Sequence, residues 1–153
     1  MKKIYVQDLK KYLNSEIEFS GFVDTIRDKK WVMFVILRDS TGKLQMTIEK
    51  SDENNQELLG IMNSITVEST VKIKGTLLAN KKVKLNGKEL IPTEIIVTSK
   101  CLDELPLNYK DSKSALLDTR LNYRFLDLRS EKNLLMFKVQ TCLINAMREF
   151  VLN

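Results

Sequence analysis

Between Trp31 and Arg38 every second residue falls on the same side of an extended chain, so Met33, Val35 and Leu37 share one face while Val32, Phe34, Ile36 and Arg38 share the other. Phe34 is then a large aromatic turned away from the core. Asp39-Ser40-Thr41-Gly42 reads as a turn, and Lys43 to Glu49 as a strand with Leu44, Met46 and Ile48 inward and Gln45, Thr47 and Glu49 outward. If Arg38 pairs with Lys43, Gln45 lies opposite Ile36 and diagonal to Phe34, at roughly 7 to 8 Å. Upstream, Glu16 to Arg27 places Ile17, Phe19 and Val23 on one face, with Gly21 as a point of bending and Arg27 at the end of the strand. Phe34, Gln45 and Arg27 are the parts needed to hold one unstacked nucleotide: an aromatic platform, an amide that donates and accepts, and a guanidinium.

The rest of the chain supplies the frame. Val6, Leu9 and Leu13 have helical spacing, and Asn14-Ser15 ends that short leading helix. Leu58, Ile61, Met62 and Ile65 form one stripe of a second helix, with Ser51 as its N-cap. Thr70 to Leu78 alternates through Val71, Ile73 and Leu77. NKKVKLNGK, residues 80 to 88, is a basic hairpin tip with an Asn-Gly turn signal. A last strand near Leu90 to Thr98 is apolar through Ile91, Ile95 and Val97, with Pro92 suited to an edge. Three strands, a helix and two more strands is the order of an OB-fold, a five-stranded Greek-key barrel that offers its strands 2 and 3 to oligonucleotides. The expected fold class is therefore mainly β, with a short N-terminal helix and a C-terminal hinge plus helix outside the barrel.

Charge adds a partner class. The 153 residues carry 25 Lys and Arg against 20 Asp and Glu, and the net charge of +5 points toward a polyanion. Lys72, Lys74, Lys81, Lys82, Lys84 and Lys88 are expected around one rim as phosphate contacts. There is no histidine, and the two cysteines, Cys101 and Cys142, lack paired-ligand spacing. Histidine acid-base chemistry is therefore excluded, and neither a disulfide framework nor a metal site is expected. No apolar run approaches membrane-spanning length and the start lacks a signal-peptide core, so the expected location is the cytoplasm, with no membrane partner.

From Cys101 the periodicity stops. Pro106 and the segment through Arg129 read as a hinge with short turns, and Ser130 caps a helix carrying Met136, Val139, Leu143, Met147 and Phe150 as an apolar stripe. A stripe that reaches the last residues unburied reads as the front piece of a longer protein. The expected division is a barrel over 1–102, a hinge over 103–130 and the start of a further domain over 131–153.

Three features resemble the N-terminal part of aspartyl-tRNA synthetases of the archaeal and eukaryotic kind: GFVDTIRDKKWVMFVILRDSTGKLQ from Gly21, LPL at Leu105 to Leu107, and LDTRLNYRFLDLR from Leu117 to Arg129, followed by an amphipathic helix. The resemblance covers nearly the whole length. It implies a barrel that grips the tRNA anticodon stem-loop, with a middle uridine stacked on Phe34 and hydrogen-bonded through Gln45 and Arg27. It also implies Glu89 near the first anticodon base. For a full-length enzyme it implies ATP and Mg2+, a catalytic domain in the same chain, and a homodimer formed through the motif 1 helix. No catalytic residue falls in this segment, which is expected to be inactive alone. Phe22 stands where the family often has tryptophan, and Lys29-Lys30-Trp31 replaces a glycine-bearing loop. The competing readings are an asparaginyl or lysyl enzyme on the same barrel, a free-standing single-stranded nucleic-acid binder, and an assembly module.

Overall fold

In the computed structural model, which describes residues 4–102, 105–108, 110 and 114–152, the alternating segments form β1 (Glu16–Asp28), β2 (Val32–Arg38), β3 (Lys43–Glu49), β4 (Thr70–Ala79) and β5 (Lys88–Ser99). They close into a barrel in the order β1-β2-β3-β5-β4. All neighbours are antiparallel except β3 and β5, which run parallel through Gln45 with Glu89 and Met46 with Leu90. This is the OB-fold arrangement, and closure leaves few unpaired strand edges. Part of the expected hinge, residues 103–104, 109 and 111–113, lies outside the described residues, as do 1–3 and 153.

β1 serves two neighbours in turn, pairing with β4 from Glu16 to Phe22 and with β2 from Phe22 to Asp28. Gly21 sits at the changeover, where a Cβ would come within 2.6 Å of the Arg38 carbonyl oxygen and 2.8 Å of the Phe19 ring. Only glycine permits that approach. Just beyond it a bulge between Val23 and Thr25 inserts one residue into the ladder. Val23 and Asp24, adjacent in sequence, are both buried there, and the alternation resumes in the opposite phase, with Ile26 packed on the core.

The bulge is held by an ion cluster. The Arg38 guanidinium donates through Nη2 to both oxygens of Glu68, at 2.9 and 3.1 Å. Its Nε lies 3.3 Å from Asp24, whose other oxygen is 3.5 Å from the Lys43 ammonium. The Phe22 ring lies under the guanidinium at 5.1 Å. Two backbone bonds close the join: the Glu68 N–H donates to the Val23 carbonyl and the Val23 N–H to that of Ser69, at 2.7 and 2.8 Å.

The barrel interior is apolar as expected, with Phe19, Val23, Met33, Val35, Leu37, Leu44, Met46, Val71, Ile73, Leu77 and Leu90 among its buried residues. The first of the helices, α1 (Gln56–Asn63), contributes Leu58, Leu59 and Met62 to the same core. Its lead-in differs from expectation. A 3₁₀ turn at Glu53–Asn55 precedes it, and Asp52 rather than Ser51 accepts the N-terminal hydrogen bond, from the Asn54 N–H at 3.0 Å. That bond caps the 3₁₀ turn, and α1 itself follows from Asn55 without a side-chain cap.

The leading helix is 3₁₀, Val6–Tyr12. With three residues per turn it aligns Val6, Leu9 and Tyr12 toward the core and leaves Leu13, expected inside, 39% exposed. The last strand also departs from its expected phase. A shift near Thr93, where Gly75 pairs with Pro92 and Lys74 with Glu94, puts Leu90 inside in place of Ile91, while Ile95 stays buried. Pro92 falls where β5 pairs with β4 but has passed its short pairing with β3, so its missing N–H costs no ladder bond on that side.

The chain divides into two compact units, Met1–Leu102 and Asp103–Asn153. In the second, two short helices replace the expected turns: α2 (Leu117–Asn122) and α3 (Arg124–Asp127). Both Arg120 and Arg124 pair with the buried Asp127 carboxylate. Ser130 caps α4 (Glu131–Leu152) as the sequence suggests, its hydroxyl accepting from the Asn133 N–H at 3.2 Å. The stripe of Met136, Val139, Leu143, Met147 and Phe150 is exposed.

Because Arg38 neutralises two carboxylates that have little access to water, Arg38→Met is expected to destabilise the barrel by about 3–5 kcal/mol, the cost of leaving buried charges uncompensated. Denaturant unfolding followed by circular dichroism measures it, and a loss below about 1 kcal/mol would show that the cluster behaves as an ordinary surface pair.

Candidate nucleic-acid interface

The reversed phase of β1 turns Arg27 outward, and the strand registers then bring the expected residues onto one surface. Arg27 is the direct partner of Phe34, and Phe34 of Thr47. One step along, Ile36 is the partner of Gln45, and Gln45 of Glu89. These are two adjacent rows across four strands, so each residue lies about 5 Å from its partner and about 7 to 8 Å from its diagonal neighbours. Phe34 is partly exposed at the centre. Ile36 and Thr47 belong to the same face but are buried among their neighbours, and form its floor.

The polar groups on this floor are linked. Glu89 accepts two hydrogen bonds, from Thr47 Oγ1 at 3.0 Å and from Asn80 Nδ2 at 2.8 Å. Gln45 Nε2 donates to Thr47 Oγ1 at 3.4 Å. Glu89, which the sequence assigns only through its resemblance, is thus fixed beside Gln45. Sequence pattern alone singles out neither Thr47 nor Asn80. Position 47 follows Gln45 by two on the same strand face, which is the available signal, and Asn80 gives none because its role depends on where the loop returns.

Two basic loops flank the rows. One joins β1 to β2 through Lys29, Lys30 and Trp31, with Trp31 68% exposed and the Lys30 ammonium 4.8 Å over its ring. The other is the 80–87 loop, closed by the Asn80 N–H donating to the Gly87 carbonyl at 2.9 Å. Asn86 and Gly87 both take left-handed φ, 63° and 62°, as the Asn-Gly signal implies. Asn86 Nδ2 also donates to the Lys43 carbonyl at 2.7 Å, tying the loop to β3.

The six lysines do not form one rim. Lys81, Lys82 and Lys84 are exposed on the 80–87 loop and carry no ion pair among the described residues. Lys88 shares the inward parity of Leu90 and is only 8% exposed. Lys72 and Lys74 lie eight and six residues back along β4, about 20 to 26 Å from Asn80. There Lys72 pairs with Glu18 at 3.0 Å and Lys74 with Glu94 at 2.9 Å. The hydrogen bond that Lys74 donates to Glu94, and then the charge of that carboxylate, raise the Lys74 pKa above that of an ordinary ammonium. Lys72 lines a separate open concavity with Glu18, Ser20, Phe22, Arg38 and Thr98.

The face therefore combines an aromatic ring, a guanidinium, an amide and a hydrogen-bonded carboxylate between cationic loops. Residues 17–98, nearly the whole barrel, match the family described as OB-fold nucleic acid binding domain. The chain is 37% identical over 136 residues to a protein from Picrophilus torridus named aspartate–tRNA(Asp) ligase, and 38% identical over 136 residues to one from Methanopyrus kandleri named aspartate–tRNA(Asp/Asn) ligase. Each match takes in 89% of this chain and 31% of the relative. Among solved structures, asparaginyl-tRNA synthetase from Pyrococcus horikoshii complexed with asparaginyl-adenylate is similar with a TM-score of 0.87 and 26% identity, over 99% of this chain and 34% of that one. The chain spans about a third of the length of these proteins. With the strand order, the register of the outer face and the match over residues 17–98 in agreement, this chain belongs to the OB-fold nucleic acid binding domain family.

Proposed function

We propose that the outer face of β1, β2, β3 and β5 binds the anticodon loop of a tRNA, with the middle base, a uridine, stacked on Phe34 and read at its edge by Gln45 and Arg27. The observation that carries this reading is the register, which sets Arg27 opposite Phe34 and Gln45 diagonal to it on one surface. A base-sized ring with donors and an acceptor at its margin suits an unstacked nucleotide. Glu89 is the acceptor offered to a neighbouring base. Lys81, Lys82 and Lys84 supply phosphate contacts. Lys72, Lys74 and Lys88 contribute less, because two are paired and one is buried.

We further propose that the chain serves as the anticodon-recognition part of an aspartate–tRNA ligase. In that reading the longer protein carries a catalytic domain, forms a homodimer, works in the cytoplasm and uses ATP and Mg2+ to join aspartate to tRNA. Among the described residues no group of three or more His, Cys, Asp or Glu side chains is placed to hold a metal ion. No helix among them is long and apolar enough to cross a membrane. Similarity to the asparaginyl enzyme supports a second reading in which asparagine is the amino acid. Aminoacylation by the longer protein, offered each amino acid with matched tRNA, separates the two, and the 153-residue chain alone is expected to form no aminoacyl-tRNA.

Phe34→Ala is expected to weaken binding of an anticodon stem-loop by roughly 1 to 3 kcal/mol, the range for base-aromatic stacking, without lowering the melting temperature. Unfolding of that variant, or unchanged affinity in a folded one, would refute the stacking role. Changing both Lys81 and Lys82 to alanine is expected to weaken all stem-loops alike and to flatten the dependence of log affinity on log salt by about one for each phosphate no longer neutralised. The same change at Lys72 and Lys74 should have a smaller effect. Fluorescence titrations across a salt series measure both, and equal slopes in the two double variants would contradict this assignment.

A further inference from the structure

An amide can be read in two directions, and the floor of the face holds Gln45 in one of them. A carboxylate only accepts, so the single proton of the Thr47 hydroxyl is drawn to Glu89, 3.0 Å away. Asn80 Nδ2, donating to the other Glu89 oxygen at 2.8 Å, opposes a turn of the carboxylate that would release it. With that proton committed, Thr47 Oγ1 has only lone pairs to offer Gln45. It therefore faces the NH2 end of the amide, at 3.4 Å, and disfavours the flipped arrangement that would set two oxygens against each other. Thr47 is itself only 9% exposed, so water does not readily replace the bond.

The direction of an amide is the information that separates uridine from cytidine. Along the edge from C4 to N3, uridine presents an acceptor and then a donor, while cytidine presents a donor and then an acceptor. An amide matches the first with its N–H and then its C=O, and the second after a half-turn about its last bond. A free glutamine therefore satisfies either base, whereas a held one matches one and opposes the other. We infer that Thr47 is a specificity-positioning residue: its hydroxyl, oriented by Glu89, locks the Gln45 amide and so sets the preference between uridine and cytidine at the base stacked on Phe34. This inference rests on the reading of Gln45 proposed above.

The test is the ratio of affinities of the 153-residue chain for two anticodon stem-loops that differ only in a central uridine or cytidine. It is measured for wild type, Thr47→Val, Thr47→Ala and Thr47→Ser, with melting curves as controls. Valine keeps the branched shape suited to β3 and alanine removes the hydroxyl without adding bulk, so a folding defect in one leaves the other. Wild type is expected to prefer uridine. In the variants without a hydroxyl that preference should fall to about one, chiefly through tighter binding of the cytidine loop, while serine restores it. A wild-type preference that persists in folded Thr47→Val or Thr47→Ala overturns the role of Thr47 and leaves the anticodon reading standing. Loss in all three variants, serine included, assigns the effect to packing and also overturns it. A wild type without preference overturns the reading of Gln45, and this inference with it.

Discussion

Side chains on a strand alternate, so one inserted residue reverses every position beyond it. In β1 that reversal is the bulge between Val23 and Thr25, and the candidate site depends on it. Counting by twos from Ile17, Phe19 and Val23 would carry Arg27 into the barrel. The bulge buries Val23 and Asp24 side by side and sends Arg27 out to face Phe34. The cost is a carboxylate at 4% exposure, and the fold offsets it with Arg38 and Lys43. Arg38 also binds Glu68, a residue with φ of 69° in the segment leading into β4. Two acids and two bases nearly cancel, which is what makes a buried charge cluster tolerable. The joint that turns β1 from one neighbour to the next is thus also the device that exposes the guanidinium.

This explains which parts of the structure are legible in the sequence. β2 and β3 contain no irregularity, and their alternation yields the inward residues, the Arg38–Lys43 register and the shared face of Phe34 and Gln45. β1 and β5 each contain a shift. Local pattern does not reveal where such a shift falls, because it is fixed by the fit of strands distant in sequence. Gly21 is visible as a point of bending; the bulge beyond it is not. For Arg27 the outward placement comes with the resemblance, and the physical reason for it comes from the bulge. The 3₁₀ geometry of Val6–Tyr12 is also hidden, since the spacing of Val6 and Leu9 fits either kind of helix.

The lysines depart from expectation for a different reason. Net charge counts cations but not their partners. On β4 the neighbouring strands set Glu18 and Glu94 within reach of Lys72 and Lys74, so those charges are already answered within the protein. The loops have no facing strand to supply carboxylates, and Lys29, Lys30, Lys81, Lys82 and Lys84 are exposed there. In the proposed reading a division of labour follows from topology: the strands would present the groups that distinguish bases, and the loops beside them the charge that holds a backbone.

A fixed anion in such a surface needs its own account, because Glu89 opposes the field that attracts a polyanion. Its surroundings supply one. Asn80 and Thr47 each give it a hydrogen bond, but both are neutral, so its charge is oriented without being cancelled. A phosphate approaching the floor of the face would meet that charge at short range, while a base edge carrying an amino or imino hydrogen would meet an acceptor already in position. The exposed lysines stand on the flanking loops, where they would attract a nucleic-acid backbone. Attraction at the margin and repulsion at the centre favour a strand that lies with its phosphates outward and its bases in. Cations alone would not distinguish that pose from its reverse, so in the proposed reading the carboxylate gives up some affinity for a defined orientation, the one that the proposed stacking on Phe34 and edge contacts at Gln45 would both require.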